Sequence, residues 1–89
     1  MMDLQFIGPA ILGKDSSIQY LAKLDGKDLL CCFSYEVLED VDTGAIGGEA
    51  ISLFNRHQLK LLSIAEQKIL NGLAHDGQIH IYSNDLPTD

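Results

Sequence analysis

The sequence predicts an α+β fold of two layers, a mostly antiparallel sheet in the element order β-β-β-α-α-β packed on one long amphipathic helix. Three observations carry this expectation. From residue 48 to about 73, Phe54, Leu61, Ala65 and Ile69 fall on one side of a helical wheel with Ala50 and Ile51, while Arg56, Lys60, Ser63 and Gln67 fall opposite. Asp25-Gly26 stands between two strand-like runs, and Asp-Gly is a strong hairpin signal because both residues tolerate positive φ. The 89 residues, 46% apolar and 21% charged, suffice for one domain with a core of modest size.

Taken in order, residues 4–7 form a short apolar run cut by Gly8-Pro9, the pattern of a brief edge strand ending in a turn. Residues 10–17 have no clear period, and Lys14-Asp15-Ser16-Ser17 is turn chemistry, so a loop with room for a second extended piece is expected there. From Ile18 the pattern alternates: Ile18, Tyr20, Ala22 and Leu24 share one face, Gln19, Leu21 and Lys23 the other. After the hairpin, residues 29–33 are apolar on both faces, which places that strand inside the sheet. One of its faces meets the helix layer, and something must cover the other. Ser34 is an N-cap for a short helix over 35–41 with Glu36 in its first turn, where a carboxylate suits the helix dipole.

Residues 42–48, rich in glycine, read as the most mobile element, delivering the chain to the long helix. That helix would span about 35 Å at about 1.5 Å per residue, ending at Asn71-Gly72 or running on to Gly77, both good terminators. Residues 78–82 alternate as a last strand with Ile79 and Ile81 inward. The sequence thus divides into one domain over 1–83 and a polar tail, 84–89, expected to be disordered.

Thirteen acidic residues against six basic ones give a net charge of −7, which repels nucleic acid and anionic lipid. No apolar run approaches the roughly 20 residues of a membrane helix, and the start lacks the basic head of a secretory signal; a cytoplasmic protein is expected. Cys31 and Cys32 are adjacent, so on a strand they point to opposite faces and act as two reduced, half-buried thiols.

Signatures of chemistry are weak throughout. Asp40-Val41-Asp42-Thr43-Gly44 resembles the start of a calcium loop, but Ile51 stands where the bidentate Glu belongs. His57, His75 and His80 are too dispersed for a zinc motif. Ser34 and the cysteines lack the context of a nucleophile, and Gly44 with Gly47-Gly48 lacks the Lys and Ser/Thr of a phosphate loop. No catalytic, cofactor or metal residue is therefore assigned. The long helix has an excess instead: Leu59, Leu62, Leu70 and Leu73 line a second apolar strip along its side. If exposed and contiguous, that strip is a candidate interface for another protein or for a homodimer.

Gly26 followed by Leu29-Leu30-Cys31-Cys32-Phe33-Ser34, then Leu38, Phe54 with His57, Leu61, Ala65 and Ile69, and Gly77 before a final strand, resembles the domain-of-unknown-function family numbered 1488. These are short bacterial proteins, some encoded beside shikimate dehydrogenase and labelled regulators of the shikimate pathway. The resemblance implies no catalytic residue. It departs from the family pattern at Gln58 and Lys60, where an Arg and acidic residues are usual, and in lacking Trp. The function expected is a non-enzymatic interaction or accessory regulatory module; the alternatives are a DNA-binding regulator, which needs a basic face, and a small ligand-binding protein or enzyme, which needs a pocket with converging polar groups near Cys32, His57 or His80.

Overall fold

The computed structural model describes residues 3–41 and 49–86. The glycine-rich segment expected to be mobile, 42–48, and the last three residues lie outside the described residues. Four strands, β1 (Leu4–Leu12), β2 (Ile18–Leu24), β3 (Lys27–Phe33) and β4 (Gln78–Ile81), form one sheet in the order β1-β2-β3-β4. The first three are antiparallel neighbours and β4 runs parallel to β3, an arrangement that needs the long helical crossover between them. The helices α1 (Tyr35–Val41), α2 (Ala50–Arg56) and α3 (Gln58–Leu70) intervene between β3 and β4. The fold is the α+β class expected.

The hairpin forms at the Asp-Gly pair, with φ of 53° at Asp25 and 83° at Gly26, the two positive values a two-residue turn of this kind requires. Ser34 caps α1, its Oγ accepting from the Val37 N–H at 3.3 Å. Between the layers lies a core of Ile18, Ala22, Leu29, Cys31, Phe33, Ile79 and Ile81 from the sheet, and Val37, Leu38, Leu53, Phe54, Leu61, Ala65 and Ile69 from the helices. Phe54 is its hinge, with ring centroids 5.2 Å from Phe33 and 5.5 Å from Tyr20.

The single long helix is corrected to two. His57, at φ −116° and ψ 24°, ends α2 and caps α3: its N–H donates to Leu53 O and Phe54 O at 3.2 Å, and its carbonyl accepts from Leu61 N–H at 3.0 Å. The cause is a shift of the apolar stripe. Ala50, Leu53 and Phe54 are buried in α2, but Leu61, Leu62, Ala65 and Ile69 in α3. On one continuous wheel at about 100° per residue the second set is rotated by about 80° from the first. Breaking the helix lets both stripes face the sheet.

Helix α3 ends at the earlier of the two expected sites. Gly72, at φ 75°, donates its N–H to Ile69 O, and Leu73 donates to Lys68 O, the paired bonds of a left-handed helix terminator. A second Asp-Gly turn follows, with φ of 52° at Asp76 and 76° at Gly77, and closes a small bridge between His75 and Gln78.

Two further expectations are corrected. The first strand does not stop at Gly8-Pro9 but continues to Leu12, because a bulge between Phe6 and Ala10 absorbs two extra residues. Gly8 has φ 72°, and a Cβ there would come within 2.9 Å of the Tyr20 ring, so only glycine lets the strand pass over that ring. The tail is ordered further than expected: Ser83–Asp85 forms a 3-10 turn, η1, held by the Asp85 carboxylate, which accepts from Lys68 Nζ at 2.7 Å and from Tyr82 N–H at 2.9 Å. Leu86 packs against the core.

Candidate functional site

With α1, α2 and α3 on one face, nothing among the described residues covers the other face of the sheet. Side chains alternate across a strand, so the registers give this face its rows: Ile11, Gln19, Cys32 and His80 in one, Leu21, Leu30 and Gln78 in the next, and Gln5, Lys23 and Asp28 in the third. Ile7 follows Phe6 in the bulged part of β1, beside the middle row. Ile7, Ile11 and Tyr82 are about half exposed, at 47%, 55% and 55%, and Leu21, Leu30 and Cys32 are half-buried.

One end of this face is hollowed. The turn between β1 and β2 forms one wall and Tyr82 the other, enclosing a half-open space of about 730 Å³ over Gln19, Leu30, Cys32, Gln78 and His80. The turn is fixed by Asp15, whose Oδ1 accepts from the Ser17 hydroxyl at 2.5 Å and from the Ser17 N–H at 3.2 Å. The Ser17 hydroxyl first, then that backbone bond, hold the Asp15 carboxyl below the usual carboxylate range. At the opposite wall the His80 and Tyr82 rings stack at 6.1 Å, with Lys68 Nζ 5.5 Å from the Tyr82 ring.

The thiols here are not activated. Burial, and then the neighbouring Cys32, pushes the Cys31 thiol up to about 12; burial, and then the Asp15 charge, pushes Cys32 up as well. A raised thiol stays protonated at neutral pH and is a poor nucleophile and a poor metal ligand. Cys31 is fully buried in the core and Cys32 lies on the open face, on opposite sides of the sheet as adjacent strand residues must be. Among the described residues no three His, Cys, Asp or Glu side chains converge as a metal site.

Both edges of the sheet are blunted. Along β1 the bulge interrupts pairing, and Pro9 within it has no N–H to offer. Along β4, His75 N–H donates to Gln78 O at 2.7 Å, Gln78 N–H donates back to His75 O at 3.0 Å, and Lys68 Nζ donates to His80 O at 2.5 Å. A further strand would have to break these contacts at β4 or match the bulge and Pro9 at β1, so the face, more than the edge, is what the sheet presents.

Of the four leucines expected on the helix flank, Leu62 belongs to the core, at 9% exposure. The helix break turns α3 so that its buried stripe includes that residue. Leu59, Leu70 and Leu73 are exposed, at 86%, 45% and 57%, but Ser63 and Glu66, also exposed, stand between Leu59 and Leu70. The strip is therefore interrupted. Leu73 borders a shallower hollow of about 400 Å³ with Ile64, Gln67 and Lys68. Sequence reasoning noticed that β3 is apolar on both sides but not that the turn after β1 would rise beside it, since only the register places residues 13–17 against Cys32. The Asp76-Gly77 turn at the β4 edge carries the same dipeptide as the hairpin at Asp25-Gly26, a signal that reading Gly77 as a helix terminator passes over.

A family model described as "Protein of unknown function (DUF1488)" matches residues 4–81. The crystal structure of a protein of unknown function from that family, from Shewanella loihica PV-4, superposes with a TM-score of 0.76 at 23% sequence identity, covering 88% of this chain and 90% of that one. At that identity the likeness speaks for the fold alone. No curated protein matches. Among the described residues, no helix is long and apolar enough to cross a membrane.

Proposed function

This chain belongs to the DUF1488 family, and from that premise we propose that it is a non-enzymatic protein-interaction module, an accessory regulatory protein of the cytoplasm that works through the open face of its sheet. One observation carries the proposal: this face is apolar at its centre while both sheet edges are blunted and the opposite face is filled by helices. A four-stranded sheet facing water ordinarily alternates apolar-in with polar-out; here Ile7, Ile11, Leu21 and Leu30 stand on the outer side. The raised thiols speak against a cysteine nucleophile on this face. The face carries two lysines, Lys14 and Lys23, against two carboxylates, Asp15 and Asp28, so it offers no basic stripe to nucleic acid.

The test is site-specific photo-crosslinking in living cells, with a benzophenone amino acid at Leu30 in one strain and at Leu59 in another. Discrete adducts from position 30 and none from position 59 are expected. Adducts from position 59 alone would return the interface to the helix flank. A second reading is favoured by the hollow over Cys32 and His80, which is large enough for a small molecule. It predicts a metabolite retained by the native protein through gentle purification and lost in a Leu30→Trp variant.

A further inference from the structure

Resting on the open-face reading, we infer that the occupant of this face is a second copy of the same chain, packed face to face about a two-fold axis that runs along the strands between β2 and β3. Such an operation exchanges β2 with β3 and leaves each row at its own height. Leu21 of one copy then lies over Leu30 of the other, and Lys23 over Asp28, because the register already sets each pair at one height on neighbouring strands. The apolar row meets itself and the charged row meets its opposite twice.

The same axis carries the turn at residues 13–17, which rises at the β2 side of the hollow, across to the β3 and β4 side of the partner. There it enters the partner's hollow, so the hollow becomes the socket for that turn. Charge supports a copy of this chain as the occupant: the chain carries −7 overall, yet this face balances two lysines with two carboxylates, which spares two copies the repulsion their other surfaces would impose. The rows span about 16 Å along the strands and about 19 Å across four of them, or about 300 Å² of flat sheet per copy. With side-chain relief and the inserted turn, the pair would bury on the order of 1,000 Å², the lower limit of a specific interface. An interface at that limit is of the weak, reversible kind.

The test uses charge reversal and mixing, read by sedimentation velocity. Lys23→Glu alone faces Glu to Asp across the axis, and Asp28→Lys alone faces Lys to Lys; each is expected to weaken association at least about tenfold. Mixed in equal amounts, the two variants restore both contacts between chains while each chain keeps its own like-charged neighbours, so a one-to-one heterodimer is expected. A contact within one chain cannot produce that rescue. The inference is overturned if the native chain stays monomeric up to about 1 mM, if neither reversal weakens the dimer, or if the mixture fails to associate. If the native chain is monomeric while the crosslinks at position 30 persist with other proteins, only the second copy is refuted and the open-face reading survives. If crosslinks at position 30 also vanish, both fall.

Discussion

Replacing Phe54 with alanine tests whether α2 and the sheet share one core. Phe54 is fully buried, its ring centred 5.2 Å from Phe33 and 5.5 Å from Tyr20. Removing the ring returns about 150 Å² of apolar burial, worth about 4 kcal/mol at about 25 cal/mol per Å². Without the ring, Phe33 and Tyr20 also forgo their aromatic pairing, which adds to the cost, while partial collapse of the hole subtracts from it; the expected loss stays between about 3 and 5 kcal/mol. A chain of this length has only about 4 to 13 kcal/mol of stability in all. Phe54→Ala should therefore be unfolded or close to it at 37 °C, while Phe54→Leu, which refills most of the volume, should lose about 1.5 kcal/mol. Urea unfolding followed by circular dichroism measures both, with Leu59→Ala as the control: at 86% exposure it should shift stability by less than about 0.5 kcal/mol. A loss below about 1.5 kcal/mol for Phe54→Ala, or an equal loss for Leu59→Ala, would refute the shared core.

Two other predictions concern titratable groups. Burial alone would raise the Asp85 carboxyl, but the hydrogen bond from Lys68, the Tyr82 N–H and the charge of Lys68 outweigh it and hold the group below the usual range. A depressed carboxyl stabilises the fold above its unfolded value of about 3.9 and loses that contribution as pH falls through its folded value. Asp85→Asn should thus cost about 1 kcal/mol or less at neutral pH, and the gap between variant and native chain should close below about pH 4; a gap that persists to pH 2 would contradict the ion pair. For the thiols, raising Cys31 from 9.0 to about 12 cuts its thiolate fraction about a thousandfold, ten for each unit. In the native chain Cys31 should resist a maleimide at pH 7 and Cys32 should react more slowly than a free thiol, both labelling fully in denaturant. Rapid labelling of Cys31 without denaturant would show that the core opens.

Local chemistry was the legible part of this fold. Asp25-Gly26, Ser34 and Gly72 act through their own backbone geometry, which no distant contact needs to supply. The break at His57 escaped because no proline or glycine marks it; its signal is the drift of the buried stripe from Leu53 and Phe54 to Leu62 and Ile69, which emerges only when the two halves are compared. Gly8-Pro9 read as a strand end because proline ends most strands, whereas an edge strand tolerates it in a bulge. The order of Asp85 could not be foreseen, since Lys68, its partner, is 17 residues away. As for the candidate site, a strand apolar on both faces reads as one covered on both sides, and that expectation is corrected: among the described residues only the wall at residues 13–17 rises beside its second face, and that depends on pairing that sequence spacing does not encode.

The open sheet face is the surface on which the whole account turns, and amide chemical shifts recorded across a dilution series of the native chain test it residue by residue. Amides of residues 19–23 and 28–32, with those of the turn at 13–17, should move together as concentration rises while those of 58–70 stay fixed. Movement confined to 58–70 would contradict it, and none anywhere up to about 1 mM would refute a second copy as the occupant of that face.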